Sequence, residues 1–163
     1  MPRLFSRRAM VAGGGAAALA PVSFAAVARA APITGSLVTL RTPIRIYDSR
    51  IDDVPLGRAK LASDNTVIVT VSVPDETRFL TAAFLNVTIT ETEGAGFLRV
   101  SGTDSSGTQP VPTTSNINWS QSGQTVANLA LTAVGSEAGV DIFAGGGGRT
   151  HVIVDVQGYV PFE

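Results

Sequence analysis

The sequence predicts an all-β fold: an antiparallel β-sandwich, jelly-roll-like, of about eight or nine strands, with a closed barrel as the alternative. Three observations carry this. Val67, Val69, Val71 and Val73 share one phase of an alternating run, and Val152, Val154 and Val156 share another near the end of the chain. A two-residue period of this kind turns one side of a strand toward a core. Clusters of Gly, Pro, Ser, Asn and Asp separate the β-favouring runs at short, regular intervals, and no convincing amphipathic helix interrupts them. Several strands carry distinct inner and outer faces, which favours the sandwich.

The strands are expected after a removable leader. Arg3, Arg7 and Arg8 precede an apolar, glycine-containing run, and Ala28-Arg29-Ala30 offers small residues where a signal peptidase reads them. Cleavage after Ala30 is expected, leaving residues 31–163 as one secreted domain without a membrane anchor. The adjacent Arg7 and Arg8 ahead of a weakly hydrophobic run fit a twin-arginine export signal, with an ordinary Sec signal as the other reading.

Loss of the leader leaves eight basic and thirteen acidic side chains, a formal charge of −5. That balance argues against general nucleic-acid or anionic-lipid binding, which needs concentrated positive charge. The chain has no cysteine. Disulfides, a thiol nucleophile and a thiolate metal site are excluded, and packing with backbone hydrogen bonds must hold the fold.

In chain order, Ser36-Leu37-Val38-Thr39-Leu40 reads as an edge strand, with Pro43 breaking the ladder before Ile44-Arg45-Ile46-Tyr47 resumes it. A polar loop with Asp52, Asp53, Pro55 and Gly57 follows. Asn65 opens the alternating valine strand, and Pro74-Asp75-Glu76-Thr77 reverses the chain. Residues 81–90 form the densest β stretch, with Val87 and Ile89 on one side and Thr88 and Thr90 on the other. The Gly94-Ala95-Gly96 turn leads into Phe97-Leu98-Arg99-Val100, and a meander of antiparallel neighbours is the simplest connection. A Ser-, Thr-, Gly- and Pro-rich loop precedes Asn116-Ile117-Asn118-Trp119. Strands are expected over residues 125–134, 139–143 and 150–159, the last interior to its sheet because it is almost continuously apolar. Leu85-Asn86-Val87-Thr88 with its following strand parallels Leu129-Ala130-Leu131-Thr132 with its own. The offset is 44 residues at the start and 43 at the end. Duplication and the common grammar of hairpins both account for it.

Six motifs carry a resemblance. Ile46-Tyr47-Asp48-Ser49-Arg50, Ala83-Phe84-Leu85-Asn86-Val87-Thr88, Gly96-Phe97-Leu98-Arg99-Val100, Ser115-Asn116-Ile117-Asn118-Trp119, Gly123-Gln124-Thr125-Val126-Ala127-Asn128 and the run from His151 to Tyr159 resemble, in this order, the β-rich repeat domain of secreted and cell-surface proteins of actinobacteria. The resemblance covers about residues 36–161 and implies an extracellular contact module. It carries no catalytic residues onto this chain.

Candidate chemistry is sparse. His151 is the single histidine, and with Asp48, Asp141 or Asp155 it could serve a hydrolytic or metal site; a histidine near the sheet surface is the plainer reading. Asp48 and Arg50, two apart, are expected to play a local structural role, paired with charges across the sheet or with loop carbonyls, and Arg50 could tie down the Asp52 to Gly57 loop through its backbone oxygens; a surface carbohydrate contact is the alternative. Asn86, Asn116, Asn118 and Asn128 interrupt β-favourable stretches and are expected to hold turns and sheet edges by side-chain bonds. Asp155 joins this set of structural polar residues. Trp119 and Tyr159 are candidate aromatic platforms for a sugar, although core packing is the plainer reading of Trp119. Asp104 lies in a loop that could hold calcium but lacks regular ligand spacing. No cofactor or metal motif stands out.

The expected function is therefore non-enzymatic contact at the cell surface, with a wall glycan or an extracellular protein as partner. An exported hydrolase or isomerase using His151 and nearby carboxylates is the rival, and an assembly module pairing through an exposed edge strand is the third possibility.

Overall fold

The computed structural model describes residues 35–51, 54–103, 113–135 and 138–162. The expected leader at 1–30, Asp52, Asp53 and the calcium-loop candidate Asp104 lie outside the described residues.

Among the described residues there are nine strands: β1 (Val38–Asp48), β2 (Leu61–Ala62), β3 (Asn65–Thr70), β4 (Leu80–Glu93), β5 (Gly96–Gly102), β6 (Ile117–Trp119), β7 (Val126–Ala133), β8 (Gly139–Gly145) and β9 (Arg149–Pro161). They form two antiparallel sheets. One is ordered β1-β9-β4-β7, with β2 also on β9, and the other β3-β8-β5-β6. The two sheets pack as a sandwich and do not close into a barrel. The ladders β1–β9, β3–β8, β4–β7 and β5–β6 nest inside one another, so the chain is one long hairpin rolled up, which is the jelly-roll arrangement.

Alternation builds the core as expected. Leu85, Val87 and Ile89 of β4 face Leu98 of β5 and Ile142 of β8 across the sandwich, with Val152, Val154 and Val156 of β9 beside them, all fully buried. Burying each such side chain contributes about 1.5–3 kcal/mol, which is how a cysteine-free chain holds together. Beyond the end of β3, Val71 and Val73 leave the ladder but remain in the core.

The meander expected from neighbouring strands does not form. β4 and β5 lie in different sheets, as do β7 and β8, so each long strand is followed by a crossing of the sandwich rather than a hairpin. A strand with one fully apolar face needs cover from the opposite sheet, and the following strand supplies it. Gly94, at φ +67°, takes the left-handed conformation that the first crossing requires. The parallel between the two segments reflects this shared crossing. Its register differs from the sequence alignment, because Leu85 points inward while Leu129 points outward. Pro43 behaves as expected on an edge: the β1 register shifts between Thr39 and Ile44.

Candidate contact face

The outer face of the five-stranded sheet collects Asp48, Asn86, Asp155 and His151 from the residues singled out in the sequence. Ladder pairing arranges them in rows. One row runs Arg45, Asp155, Asn86, Leu129; the next runs Thr39, Gly158, Phe84, Leu131; on the other side lie Asp48, Ile153, Thr88, Ala127. Side chains in one row are cross-strand neighbours and act together.

Four charges form an alternating chain at the β1 margin. The Arg45 guanidinium donates to both carboxylate oxygens of Asp155, at 2.8 and 3.2 Å, and lies 3.5 Å from Asp48. Arg50 donates to Asp48 through Nε at 2.8 Å, Nη2 at 2.7 Å and its backbone N–H at 3.1 Å. These bonds from Arg50 hold the Asp48 carboxyl below the usual carboxylate range. Asp48 and Arg50 thus have a local structural role, but they pair with each other rather than with charges across the sheet, and among the described residues the loop oxygen of Pro55 is bound by a different group. The Tyr47 hydroxyl donates to Pro55 O at 2.7 Å, and burial pushes that phenol up to about 12.

Beside this charged row the face is apolar and open. Leu129 and Leu131 are each 56 % exposed, Phe84 is half-buried, and Gly158 leaves the ring of Phe84 without a side chain on its β9 side. The Asn86 amide sits between the two regions and has no side-chain hydrogen bond among the described residues. Sequence reasoning did not find Arg45, Phe84, Leu129 or Leu131 as members of one surface. The one signal was in β7, where the larger apolar residues occupy the phase opposite to Asn128, Ala130 and Thr132.

The other asparagines hold edges and turns. Asn116 Oδ1 accepts from Val100 N–H at 2.7 Å, Asn118 donates to Ser115 Oγ at 2.9 Å, and Asn128 donates to Asn116 O at 2.6 Å.

Neither aromatic is open to a sugar, which corrects the platform reading and agrees with the core reading of Trp119. Trp119 is 4 % exposed and packs over Gly96, its cross-strand partner. Tyr159 is 7 % exposed because the β4–β9 register shifts between Phe84 and Leu85, making Gln157 an extra residue. The shift reverses the phase and turns Tyr159 into the core. Its hydroxyl bonds Glu76, whose carboxyl is held at about 2, chiefly by the Arg78 guanidinium.

His151 also lies on this sheet, at the far end from Phe84. Its Nδ1 is 3.0 Å from Ser49 Oγ, and the same oxygen accepts from Val152 N–H at 2.9 Å. Ser49 is fully buried, and Nε2 of the ring lies 4.0 Å from Glu91. Burial lowers the His151 pKa, with Glu91 opposing. The carboxylates that could have served this imidazole are placed elsewhere: Asp48 and Asp155 are bound by arginines, and Asp141 is on β8 in the opposite sheet.

Family models, curated proteins and solved structures, each searched for similarity to this chain, return no match.

Proposed function

We propose that this protein is an exported, non-enzymatic domain that works by contact at the cell surface, and that the outer face of the five-stranded sheet makes the contact. The observation that carries the reading is the apolar row of Phe84 and Leu131, with Leu129 diagonal to it, lying directly against the preformed Arg45–Asp155 pair and the Asn86 amide. Exposed apolar side chains flanked by fixed polar groups are the surface chemistry of recognition: the apolar groups gain from losing water and the polar ones set orientation. The arginine-paired leader supports export, and a cysteine-free core suits a protein that folds before crossing a membrane. His151 supports the same reading, since its Nδ1 is spent on a buried hydroxyl that in turn holds a backbone N–H.

Co-sedimentation with purified actinobacterial cell-wall sacculi tests the proposal, using residues 31–163 and the double variant Phe84→Ala, Asn86→Ala. Retention should fall at least about tenfold in the variant, the ~1.4 kcal/mol expected of a well-placed contact pair, without loss of cooperative melting. Equal retention of both proteins, or none of the parent on sacculi or on secreted actinobacterial proteins, defeats it.

A further inference from the structure

The open edge of β7 points to a second copy of this chain. Among the described residues no strand pairs with β7 on the side away from β4. It is a long, even edge: eight consecutive residues match β4 without a register shift, from Ala82 opposite Ala133 to Ile89 opposite Val126. No Pro and no charged residue occurs from Thr125 to Gly135. Two other edges are blunted, while β3, on the edge of the second sheet, is shorter at six residues. β1 carries Arg41, Pro43 and Arg45 with two register shifts, and β6 has three residues. Charges, prolines, irregularities and shortness are the usual protections of a sheet edge, and β7 has none of them.

The pairing pattern shows what kind of occupant belongs there. Exchanging β3, β4 and β5 with β6, β7 and β8 preserves every ladder among those six strands: β3–β8 becomes β6–β5, while β4–β7 and β5–β8 map onto themselves. The same exchange carries β9, on the far edge of β4, to the place beside β7. The geometry there is that of one more antiparallel strand.

We propose that this strand is β7 of a second copy, so that two five-stranded sheets join across a two-fold axis. Pairing β7 with itself closes the assembly at a dimer, whereas pairing it with the β1 edge would propagate an open filament past Pro43. The strip from Thr125 to Gly135 carries no charge, so no like charges face each other across this pairing. The alternation fixes the register. Val134 N–H donates to Thr81 O at 3.0 Å, so even-numbered amides face β4 and those of Ala127, Leu129 and Leu131 face outward. The Ala133 carbonyl takes the Thr132 hydroxyl at 3.2 Å and lies close against Gly102, so that end is closed. A register centred on Leu129 uses the remaining groups, places Ala127 opposite Leu131 of the partner copy, and brings the exposed leucines of both copies onto one face. The Asn128 side-chain oxygen accepts from Leu129 N–H at 3.0 Å in the single copy, and pairing exchanges that one bond while the Asn128 amide keeps its bond to Asn116 O.

The edge is independent of the contact face, since it uses backbone groups rather than Phe84 and Asn86. Sedimentation velocity of residues 31–163 from micromolar to high micromolar concentration, combined with amide hydrogen exchange, tests it. The expected result is a concentration-dependent dimer in which exchange at Ala127 and Leu131 slows at least tenfold as the dimer forms, and which Leu129→Lys weakens by at least tenfold. A monomer throughout overturns the proposal. So does a dimer whose Ala127 and Leu131 amides exchange as fast as in the monomer, which would mean contact through side chains alone.

Discussion

Asn128 on the edge of one sheet donates its amide to the backbone oxygen of Asn116 at the start of the other, at 2.6 Å, and so stitches the sandwich shut along its β6–β7 side. Asn116 completes the link by accepting Val100 N–H on its own side chain at 2.7 Å. Asn116→Ala leaves a backbone donor of a buried residue without its acceptor and should cost about 1–3 kcal/mol. Asn128→Ala leaves the half-exposed Asn116 carbonyl and the exposed Leu129 N–H, both within reach of water, and should cost about 1 kcal/mol or less. Urea titration of both single variants checks the order; an Asn128 variant less stable than the Asn116 variant would contradict it.

Much of this fold could be read from the chain because one strand face is nearly pure valine or isoleucine. Val67, Val69, Val152, Val154 and Val156 announce their own direction. What could not be read is which sheet a strand joins, since a turn such as Gly94-Ala95-Gly96 serves a hairpin and a sandwich crossing equally well. Tyr159 was misplaced by a single extra residue at Gln157, and bulges leave no mark in composition. β2, two residues long, is below any periodic signal. The contact face was legible only in fragments, because Arg45, Asn86, Asp155 and Leu129 become one row through ladder register, which no segment encodes alone.

Ser49→Ala should destabilise the protein by about 2 kcal/mol. The substitution removes the acceptor for Val152 N–H and the hydrogen-bond partner of His151 Nδ1 in a fully buried position, and each orphaned group keeps its desolvation cost. The volume change is small, so packing loss cannot account for a drop of that size. A melting curve unchanged within a degree would show that the hydroxyl contributes nothing.

His151 makes stability depend on pH in a defined window. Burial depresses its pKa in the folded state, so between that lowered value and the ordinary value near 6.5 the unfolded chain binds the extra proton and the folded chain does not. Stability is therefore complete above about 6.5 and declines as pH falls toward the folded value. Glu91 opposes the shift, while Lys60 and Arg50 reinforce it. His151→Gln should flatten the decline. Asp48, whose folded pKa is also depressed, adds a second loss beginning near the ordinary carboxylate range of about 3.9. Thermal melts across pH 3–8 separate the two; a parent protein equally stable at pH 5 and 7 would remove the histidine from the account.

Gly96→Ala should expel the indole of Trp119. A Cβ at this position would sit inside the ring's van der Waals envelope and 2.8 Å from the Gly145 carbonyl, and the second of these is backbone that cannot swing aside. Overpacking of this kind costs about 1–3 kcal/mol. Trp119 is the sole tryptophan, so its emission should shift to the red as the ring meets water. A blue emission maximum retained in a fully stable variant would place the ring elsewhere.

Truncation before Thr150 should abolish folding rather than weaken it. β9 pairs with β1 and β4 along its length and with β2 at its start, so its removal opens the middle of the sheet and leaves β1 and β2 without any ladder. Val152, Val154 and Val156 are fully buried, and losing their burial alone forfeits about 5–9 kcal/mol. That matches the whole stability of an ordinary domain, about 5–15 kcal/mol, before the backbone hydrogen bonds are counted. The shortened chain should lack a cooperative melt by circular dichroism and should aggregate through the exposed apolar edge of β4. A soluble truncation that melts sharply would mean that the remaining strands form a core of their own, and the central position of β9 would then carry no energetic weight.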